Sequence, residues 1–160
     1  MEFEINLLEH GMYQIDYANV IKLENENSPK GYFYETNSEQ YLSKQTEKIP
    51  LSLDTAFGIK FQLISEDDDS FIPLKIVFDH PEIENPETKF SFTRTEKTFE
   101  CEVNTLHLEI FIFDYTWEMV EGYWTLHLEY HNQIVFSKEF ELYIPHTQNE
   151  IEEENFFYDM

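Results

Sequence analysis

The stretch WEMVEGYWTLHLEYHNQIVFSKEFELYI, residues 117–144, has the residue pattern of two long β-strands folded back on each other. In its first half, apolar or aromatic residues occupy every second position and would share one face of a strand: Trp124, Leu126, Leu128 and Tyr130. The second half continues the alternation with Ile134, Phe136, Phe140, Leu142 and Ile144. The stretch therefore predicts a β-hairpin with one buried face, the building unit of an all-β domain.

The connection between the two arms of this hairpin is short and polar. We expect a loop of about three residues, 131–133, in which Asn132 tolerates the left-handed backbone conformation that such a loop needs. Lys138 interrupts the apolar alternation of the second arm. This interruption indicates a bulge near Ser137 or a position at the edge of a sheet.

The composition indicates one domain with a large aromatic core. The chain has 160 residues, of which 41% are hydrophobic and 17% aromatic, and a chain of this size buries roughly 70% of its unfolded surface. Cys101 is the single cysteine, so an intrachain disulfide and a cysteine-based zinc cluster are excluded. We expect a reducing, cytoplasmic location and no membrane contact, because the first residues are acidic and no apolar run approaches ~20 residues.

The charge is strongly acidic and unevenly distributed. There are 33 acidic residues against 10 basic ones, a net charge of −23, and Lys138 is the only basic residue after Thr98. Direct binding of nucleic acid is not expected, because such proteins need Lys and Arg to neutralise phosphates. The charge would attract a basic protein partner or serve only solubility, and the sequence leaves both interpretations open.

Further strands are predicted before the hairpin. Alternation predicts strands over 56–64, 71–78 and 106–112, and a strand in two pieces over 90–103. A half-buried strand near the amino terminus is expected to end at Gly11. The segment from His80 to Pro86 contains two prolines, which cannot donate to a ladder, so we expect a loop there.

Residues 24–48 are predominantly polar and predict a long connection within the domain. Three adjacent aromatic residues, Tyr32, Phe33 and Tyr34, interrupt it. They either pack on the predicted strands or form an exposed contact surface, and we favour packing. The domain is accordingly predicted to extend over residues 1–145.

The chain changes character in a tail, residues 146–160, that combines acidic and aromatic residues. This combination suits docking into a basic, apolar groove. The candidate partner-binding residues are Glu150, Glu152, Glu153, Glu154, Phe156, Phe157 and Tyr158. The alternatives are a frayed end whose aromatic residues fold back on the sandwich, or a tail ordered only in an oligomer, so a homo-oligomer stays open.

The tripeptide His-Leu-Glu occurs twice, at 107–109 and at 127–129. If these strands are antiparallel neighbours, His107 faces Glu129 and Glu109 faces His127, and the four side chains would bind zinc or another divalent ion. Consecutive strands of a sandwich often lie in different sheets, however, and cross-strand His/Glu pairs are common on exposed faces. We expect no metal and no cofactor.

Motifs for catalysis are not found in the sequence. Cys101 lies at one of the alternate positions that apolar residues occupy in its predicted strand, which predicts an inert core thiol. The serines lie in no nucleophile elbow and the glycines form no phosphate-binding cluster. The acidic run from Glu66 to Ser70 lacks the glycine and the spacing of a calcium loop, so we interpret it as a solvated turn. We expect no enzymatic activity.

Turn and core residues between 46 and 144 are arranged as in a known family. They are Thr46, Ile49, Pro50, Phe57, Gly58, His80, Pro81, Asn85, Pro86, Trp117, Glu118, Gly122, Trp124 and Phe140. The chain resembles a bacterial family of uncharacterised proteins, a domain of unknown function with an immunoglobulin-like β-sandwich. The resemblance implies this fold and supplies no activity or catalytic residue. The polar connection and the tail fall outside it.

Taken together, the pattern and the resemblance predict an antiparallel, immunoglobulin-like β-sandwich of seven to nine strands, with Trp117 or Trp124 in or near its core. For the function we expect a non-catalytic module whose acidic surface and tail engage a basic partner protein. One alternative is a nucleic-acid mimic that inhibits a DNA- or RNA-binding protein, which requires carboxylates in rows at phosphate-like spacing. The other is a metal-dependent enzyme at the two His/Glu pairs.

Overall fold

The computed structural model describes residues 2–37, 39–68 and 70–145, which form an all-β structure. Its strands are β1 (Glu4–Gln14), β2 (Val20–Glu24), β3 (Tyr32–Thr36), β4 (Tyr41–Gln45), β5 (Lys48–Pro50), β6 (Ala56–Ile64), β7 (Phe71–Glu84), β8 (Ser91–Glu102), β9 (Leu106–Ile112), β10 (Gly122–Tyr130) and β11 (Gln133–Tyr143). Two short 3-10 helices occupy Tyr17–Asn19 and Thr116–Glu118. The all-β class is confirmed, but these eleven strands exceed the predicted seven to nine. No helix in these ranges is long and apolar enough to cross a membrane.

The strands form two main sheets and one separate hairpin. The first sheet has the order β4-β1-β6-β9, the second has the order β5-β11-β10-β7-β8, and β2 pairs with β3. Neighbouring strands are antiparallel except β5 and β11, which are parallel. The chain changes sheet between β6 and β7, between β8 and β9, and between β9 and β10. Such repeated crossing is typical of immunoglobulin-like sandwiches.

Trp124 lies at the centre of the core and is fully buried, as predicted. Its ring contacts Phe57, Phe111 and Phe113 edge-on, with centroid distances of 5.6, 5.1 and 5.5 Å. Aromatic pairs in this geometry contribute about 0.5–1.5 kcal/mol each beyond the burial of their area. The indole N–H donates to the carbonyl oxygen of Val120 at 3.1 Å, so the buried polar atom is satisfied.

The predicted hairpin is formed by β10 and β11, with Trp124 opposite Phe140. Its turn has two residues instead of three, since Tyr130 pairs directly with Gln133. His131 and Asn132 have φ angles of 50° and 63°. Two left-handed residues define the type I′ turn, which matches the twist of the flanking strands, and the left-handed conformation predicted for Asn132 is confirmed.

The bulge of this hairpin lies at Val135 and not near Ser137, because the pairing with β10 skips Val135. The other predicted explanation for Lys138, a position at the edge of a sheet, is confirmed. β5 pairs only with residues 141–143 of β11, so Lys138 has no strand neighbour on that side in the described chain. Its Nζ instead lies 2.5 Å from Oε1 of Glu47.

β1 continues through Gly11, which corrects the prediction that the first strand ends there. Gly11 has a φ of 142°, and a Cβ at this position would lie 2.1 Å from the carbonyl oxygen of Lys44 on β4. The glycine therefore permits a close approach of two backbones instead of terminating a strand.

The predicted long connection is also corrected, because it contains β3 and β4 and leads into β5. The β2–β3 hairpin lies beside the gap between β8 and β9. Phe33 of this hairpin inserts into the core and is 6% exposed, which confirms that the aromatic group packs on the sandwich. Asn25 donates to the carbonyl oxygen of Glu96 on β8, and Thr36 donates to that of Leu108 on β9. The hairpin therefore connects both sheets.

The loop predicted around Pro81 is part of a strand, since β7 runs from Phe71 to Glu84. Its pairing with β8 is irregular between Asp79 and Ile83, where the proline has no N–H to donate. β8 is correspondingly one strand and not two pieces. The strands β6 and β9, in contrast, have the predicted boundaries.

One side of the sandwich is only half covered. β4 pairs with residues 11–14 of β1, and β5 pairs with residues 141–143 of β11, so segment 41–50 crosses from one sheet to the other at this end. At the opposite end, residues 4–10 of β1 and 133–140 of β11 have no strand on their outer side within the described chain. This side of the sandwich is therefore open.

Candidate functional site

The open side contains a wide cleft of about 1190 Å³. Its walls come from the amino-terminal end of β1, the end of β6 with the loop that follows it, and the end of the β10–β11 hairpin. These three parts of the chain line one opening because the uncovered parts of β1 and β11 form the edges of the two sheets on the same side of the sandwich. The cleft is therefore a consequence of the sheet topology.

The floor of the cleft is apolar. Phe3, which directly precedes β1, and Tyr130 of β10 form an edge-to-face pair at 5.2 Å, and Ile5 of β1 lines the cleft with them. Val135 completes the floor, and Ile64, which pairs with Glu4, lines the cleft beside the rim; each is 39% exposed. Covering such apolar surface releases water and contributes about 25 cal/mol per Å². The floor can therefore accept an apolar side chain of a partner.

The rim of the cleft is acidic. Glu2, Glu4, Glu66 and Asp67 are exposed around the apolar floor. Within the described ranges, none of these four carboxylates is ion-paired with a Lys or Arg side chain. A cleft lined by one sign of charge over apolar walls concentrates its field and raises the local concentration of the opposite charge. This cleft favours cations.

The acidic loop of the rim is held in place by Asn104. The side-chain amide of Asn104 donates to the carbonyl oxygen of Ser65 at 2.9 Å and to a carboxylate oxygen of Asp68 at 2.6 Å. The Ser65 amide in turn donates to Oδ1 of Asn104, and its hydroxyl donates to the carbonyl oxygen of Glu2. The loop is thus an ordered turn over residues 65–68, which positions Glu66 at the rim.

Internal ion pairs occupy many of the few basic side chains. Five of the 10 basic residues form an ion pair with a carboxylate of the described chain: Lys30, Lys60, Arg94, Lys97 and Lys138. These cations are consequently neutralised within the fold. The acidic excess of the chain, 33 acidic against 10 basic residues, therefore remains largely unpaired.

The side closed by the β2–β3 hairpin contains a buried ion pair. Lys30 is 5% exposed, and its Nζ lies 3.0 Å from Oε1 of the fully buried Glu118 and 3.3 Å from Asp114. Nζ also donates to the carbonyl oxygen of Ile112 at 2.5 Å. The other carboxylate oxygen of Glu118 accepts from the backbone amides of Asp114 and Tyr115. Burial raises the pKa of Glu118, although Lys30 and these amides oppose the rise.

This buried cluster is structural and has no room for a ligand. The cavity beside Lys30 has a volume of about 10 Å³, which is at the lower limit for a single water molecule. Oε1 of Glu118 has no hydrogen bond of good geometry and interacts only through the charge of Lys30. The charge of Lys30 is therefore the main compensation for burying this oxygen.

The two His-Leu-Glu tripeptides do not meet, because β9 and β10 lie in different sheets. Glu109 points between the sheets to Lys97, with 3.3 Å between Oε2 and Nζ. His107 has Nε2 2.7 Å from the carbonyl oxygen of Glu102. Among the described residues, no group of three or more His, Cys, Asp or Glu side chains is arranged to hold a metal ion. The hypothetical four-residue metal site does not form.

The second tripeptide belongs to a charged network on the five-stranded sheet. His127 lies between Asp79 and Glu129, at 3.2 and 2.8 Å. Arg94 donates to Glu129 at 2.6 Å and to Glu96 at 2.8 Å. Arg94 lies between the carboxylates of Glu96 and Glu129, so the carboxylates of this network do not form the continuous row that a nucleic-acid mimic requires.

Two other expectations concern Cys101 and the tail. Cys101 is fully buried, and burial raises the pKa of its thiol to about 12, so the core thiol is confirmed. The candidate partner-binding residues of the tail lie outside the described residues: Glu150, Glu152, Glu153, Glu154, Phe156, Phe157 and Tyr158.

Sequence reasoning missed the cleft, although part of its signal was present. Phe3 and Ile5 were assigned to a half-buried strand, which does not reveal that Tyr130, far away in the chain, shares their surface. The acidic run beginning at Glu66 was noted only as a turn. Lys30 gave no signal of burial, because a lysine in a polar segment is normally exposed.

The strand order, the crossing connections and the aromatic core define an immunoglobulin-like β-sandwich. A crystal structure of an immunoglobulin-like protein from Pseudomonas aeruginosa has the same fold, with a TM-score of 0.65 and 21% sequence identity. The similarity covers 89% of this chain and 98% of that one.

The chain belongs to the family described as a domain of unknown function, DUF3859, which matches residues 2–142. The match confirms the resemblance. It also extends the resemblance toward the amino terminus, so that it includes the first strands and the whole of segment 24–48, which the sequence predicts as a polar connection. No curated protein matches the chain.

Proposed function

We propose that this protein is a non-catalytic binding module that captures a basic protein partner in the cleft on its open side. One observation carries the proposal: four carboxylates without a basic ion-pair partner in the described chain surround an exposed apolar floor. The carboxylates are Glu2, Glu4, Glu66 and Asp67. A partner that presents lysine or arginine side chains around an apolar residue is complementary to both features.

The two features contribute in different ways. The acidic rim would accelerate encounter and discriminate against acidic proteins, since surface charges act mainly on association rate and specificity. The apolar floor would supply affinity by burying Phe3 and Tyr130 against the partner. Because the rim is exposed, added salt weakens its contribution: the screening length falls from about 10 Å at 0.1 M salt to about 3 Å at 1 M.

We also propose a cytoplasmic location. The support is the single cysteine, Cys101, which is unpaired and buried in the core. A free thiol is compatible with a reducing compartment, where disulfides are rare.

The test compares two variants of equal net charge. The cleft variant neutralises its four rim carboxylates by Glu2→Gln, Glu4→Gln, Glu66→Gln and Asp67→Asn. The control variant neutralises four exposed carboxylates outside the cleft, on β7, β8 and the turn between them: Glu82→Gln, Glu84→Gln, Glu87→Gln and Glu100→Gln. Each immobilised variant is incubated with native cell extract at low and high salt, and the retained proteins are identified by mass spectrometry.

We expect a basic protein to be retained at low salt by the native chain and the control variant, and to be lost from the cleft variant. Equal loss from both variants would show that only net charge matters and would contradict a specific cleft. A chain ending at Pro145 tests the tail separately. If the partner is retained by this shorter chain, binding resides in the sandwich, whereas its loss would assign binding to the tail.

A further inference from the structure

We infer that the basic partner binds as an extended β-strand added to the free edge of β11, next to the acidic cleft. This inference rests on the proposed function and specifies how the cleft is used. It combines three observations: outward-pointing backbone groups on β11, an apolar floor directly beside them, and a rim of one charge. Addition of a strand to an exposed sheet edge is a common mode of peptide recognition, in which backbone hydrogen bonds give affinity and side-chain pockets give specificity.

The part of the β11 edge that is already paired shows which backbone groups of β11 point outward. The amide of Glu141 donates to the carbonyl oxygen of Glu47 at 2.8 Å, and the amide of Leu51 donates to that of Tyr143 at 2.7 Å. The backbone groups of residues 141 and 143 therefore point away from β10. Because this direction repeats every second residue, those of Ser137 and Glu139 point the same way. β5 is parallel to β11 and begins at Lys48, opposite Glu141, so the two earlier positions have no strand partner within the described ranges.

A strand at this position would continue the line of β5 along the open side. The edge reaches the cleft at Val135, which belongs both to β11 and to the apolar floor. Alternate side chains of the added strand would then face Tyr130 and Phe3. Glu4 lines the cleft and Glu139 is exposed on β11, so both would be available to pair with lysine or arginine of the added strand.

Charge decides between the three occupants that such an edge can have. The tail of this chain carries Glu150, Glu152, Glu153, Glu154 and Asp159, and its docking would bring carboxylates against the acidic rim. A second copy carries the same net charge of −23 and is repelled in the same way. A basic segment of another protein is complementary, and it is the occupant we propose.

Lys138 does not block this edge. Charged residues, above all lysine, often protect edge strands against unwanted pairing. Here the ammonium group of Lys138 is held 2.5 Å from Glu47, at the end where β5 already covers the edge. Ser137, the adjacent residue with outward-pointing backbone groups, has a small side chain that leaves its N–H accessible.

The binding test uses a fluorescent synthetic peptide with alternating lysine and valine residues as the probe. Two further versions carry N-methyl groups, either on all valine amides or on all lysine amides. In an extended strand, one set of amides faces β11 and the other faces away. We expect one N-methylated version to bind at least roughly tenfold more weakly and the other to bind like the parent. Fluorescence anisotropy with the full-length chain gives the Kd.

A second measurement changes the protein instead of the peptide. Ser137→Pro removes one outward N–H without removing a hydrogen bond to β10, and Ser137→Ala keeps the N–H as a matched control. Thermal unfolding of both variants verifies that they are folded. We expect Ser137→Pro to weaken binding of the parent peptide and Ser137→Ala to leave it unchanged.

The outcomes separate this inference from the proposed function. If the parent peptide binds and neither N-methylated version differs from it, while the cleft variant binds less, the acidic cleft stands and strand addition is overturned. Equal weakening by both N-methylated versions also overturns strand addition, because it shows no preferred edge. If the native chain does not bind the parent peptide at low salt, both proposals fail for this cleft.

Discussion

Replacing Lys30 with methionine removes the cation that neutralises the only fully buried carboxylate in the described part of the chain. Nζ of Lys30 lies 3.0 Å from Glu118, which has no exposed surface. Methionine keeps much of the length of the apolar stem, and it removes the ammonium group, which lies over the aromatic rings of Tyr32, Tyr34 and Phe111. The substitution therefore reports mainly on the charge and the hydrogen bond to the carbonyl oxygen of Ile112.

The magnitude follows from the degree of burial. Removing one partner of a buried ion pair costs about 3–5 kcal/mol, because an uncompensated charge remains in a medium of low polarity. Lys30 is 5% exposed and Glu118 0%, so solvent screening reduces this value little. For a domain whose free energy of unfolding is typically about 5–15 kcal/mol, this loss is a large fraction of the total.

The assay is urea-induced unfolding, monitored by the fluorescence of the two tryptophans, Trp117 and the buried Trp124. We expect Lys30→Met to lose about 3–5 kcal/mol, whereas Lys89→Met, at an exposed turn lysine, stays within about 0.5 kcal/mol of the native chain. Adding Glu118→Gln to Lys30→Met should restore part of the loss, because the unpaired charge is then gone. The reasoning is refuted if Lys30→Met behaves like the Lys89 control, or if the second substitution destabilises the chain further.

Three further outcomes are expected. Gly58→Ala should destabilise the chain by at least about 1–3 kcal/mol in urea unfolding, since its Cβ would lie 2.0 Å from the carbonyl oxygen of Glu109, and Gln62→Ala on the same strand serves as the control. The Cys101 thiol, whose pKa burial raises to about 12, should react with a thiol reagent near pH 8 roughly a thousandfold more slowly in the native than in the unfolded chain, and equal rates would contradict its burial. Burial raises the pKa of Glu118 above 4.5 in the folded state, so the native chain binds more protons just above this pH, and stability relative to Glu118→Gln should fall as pH rises through that window. A constant difference between the two stability curves would show that Glu118 does not titrate as described.

The local pattern was sufficient to predict several features. The strands β6 and β9 have the predicted boundaries because uninterrupted alternation distinguishes a buried face without reference to any other part of the chain. Cys101 was assigned to the core by the same parity. The left-handed conformation of Asn132 follows from the chemistry of its own side chain.

The errors share one physical cause, which is that local signals were interpreted without their neighbours. The local pattern predicts that the first strand ends at Gly11, but the close approach of β4 explains the glycine. The prolines predict a loop around Pro81, but the remaining hydrogen bonds and packing of β7 hold this residue within a strand. In both cases, contacts with another strand outweigh the intrinsic preference of one residue.

The candidate site depends almost entirely on which strands are neighbours. His107 and His127 have the same local sequence, and only the crossing of the chain between sheets separates them and pairs Glu109 with Lys97 instead. Likewise, Phe3 and Tyr130 share the floor of a cleft because two different sheets end on the same side.

The all-β class, the principal hairpin, the aromatic core and the acidic character of the protein all follow from the amino-acid sequence. These properties arise from composition and from the two-residue period of a strand, both of which are local. The open edge of β11, the acidic cleft and the buried pair of Lys30 with Glu118 arise only when the strands pack together. Each of these requires residues distant in the chain to be brought together, and the free energy that selects such pairings belongs to the packed sheets and not to any single segment.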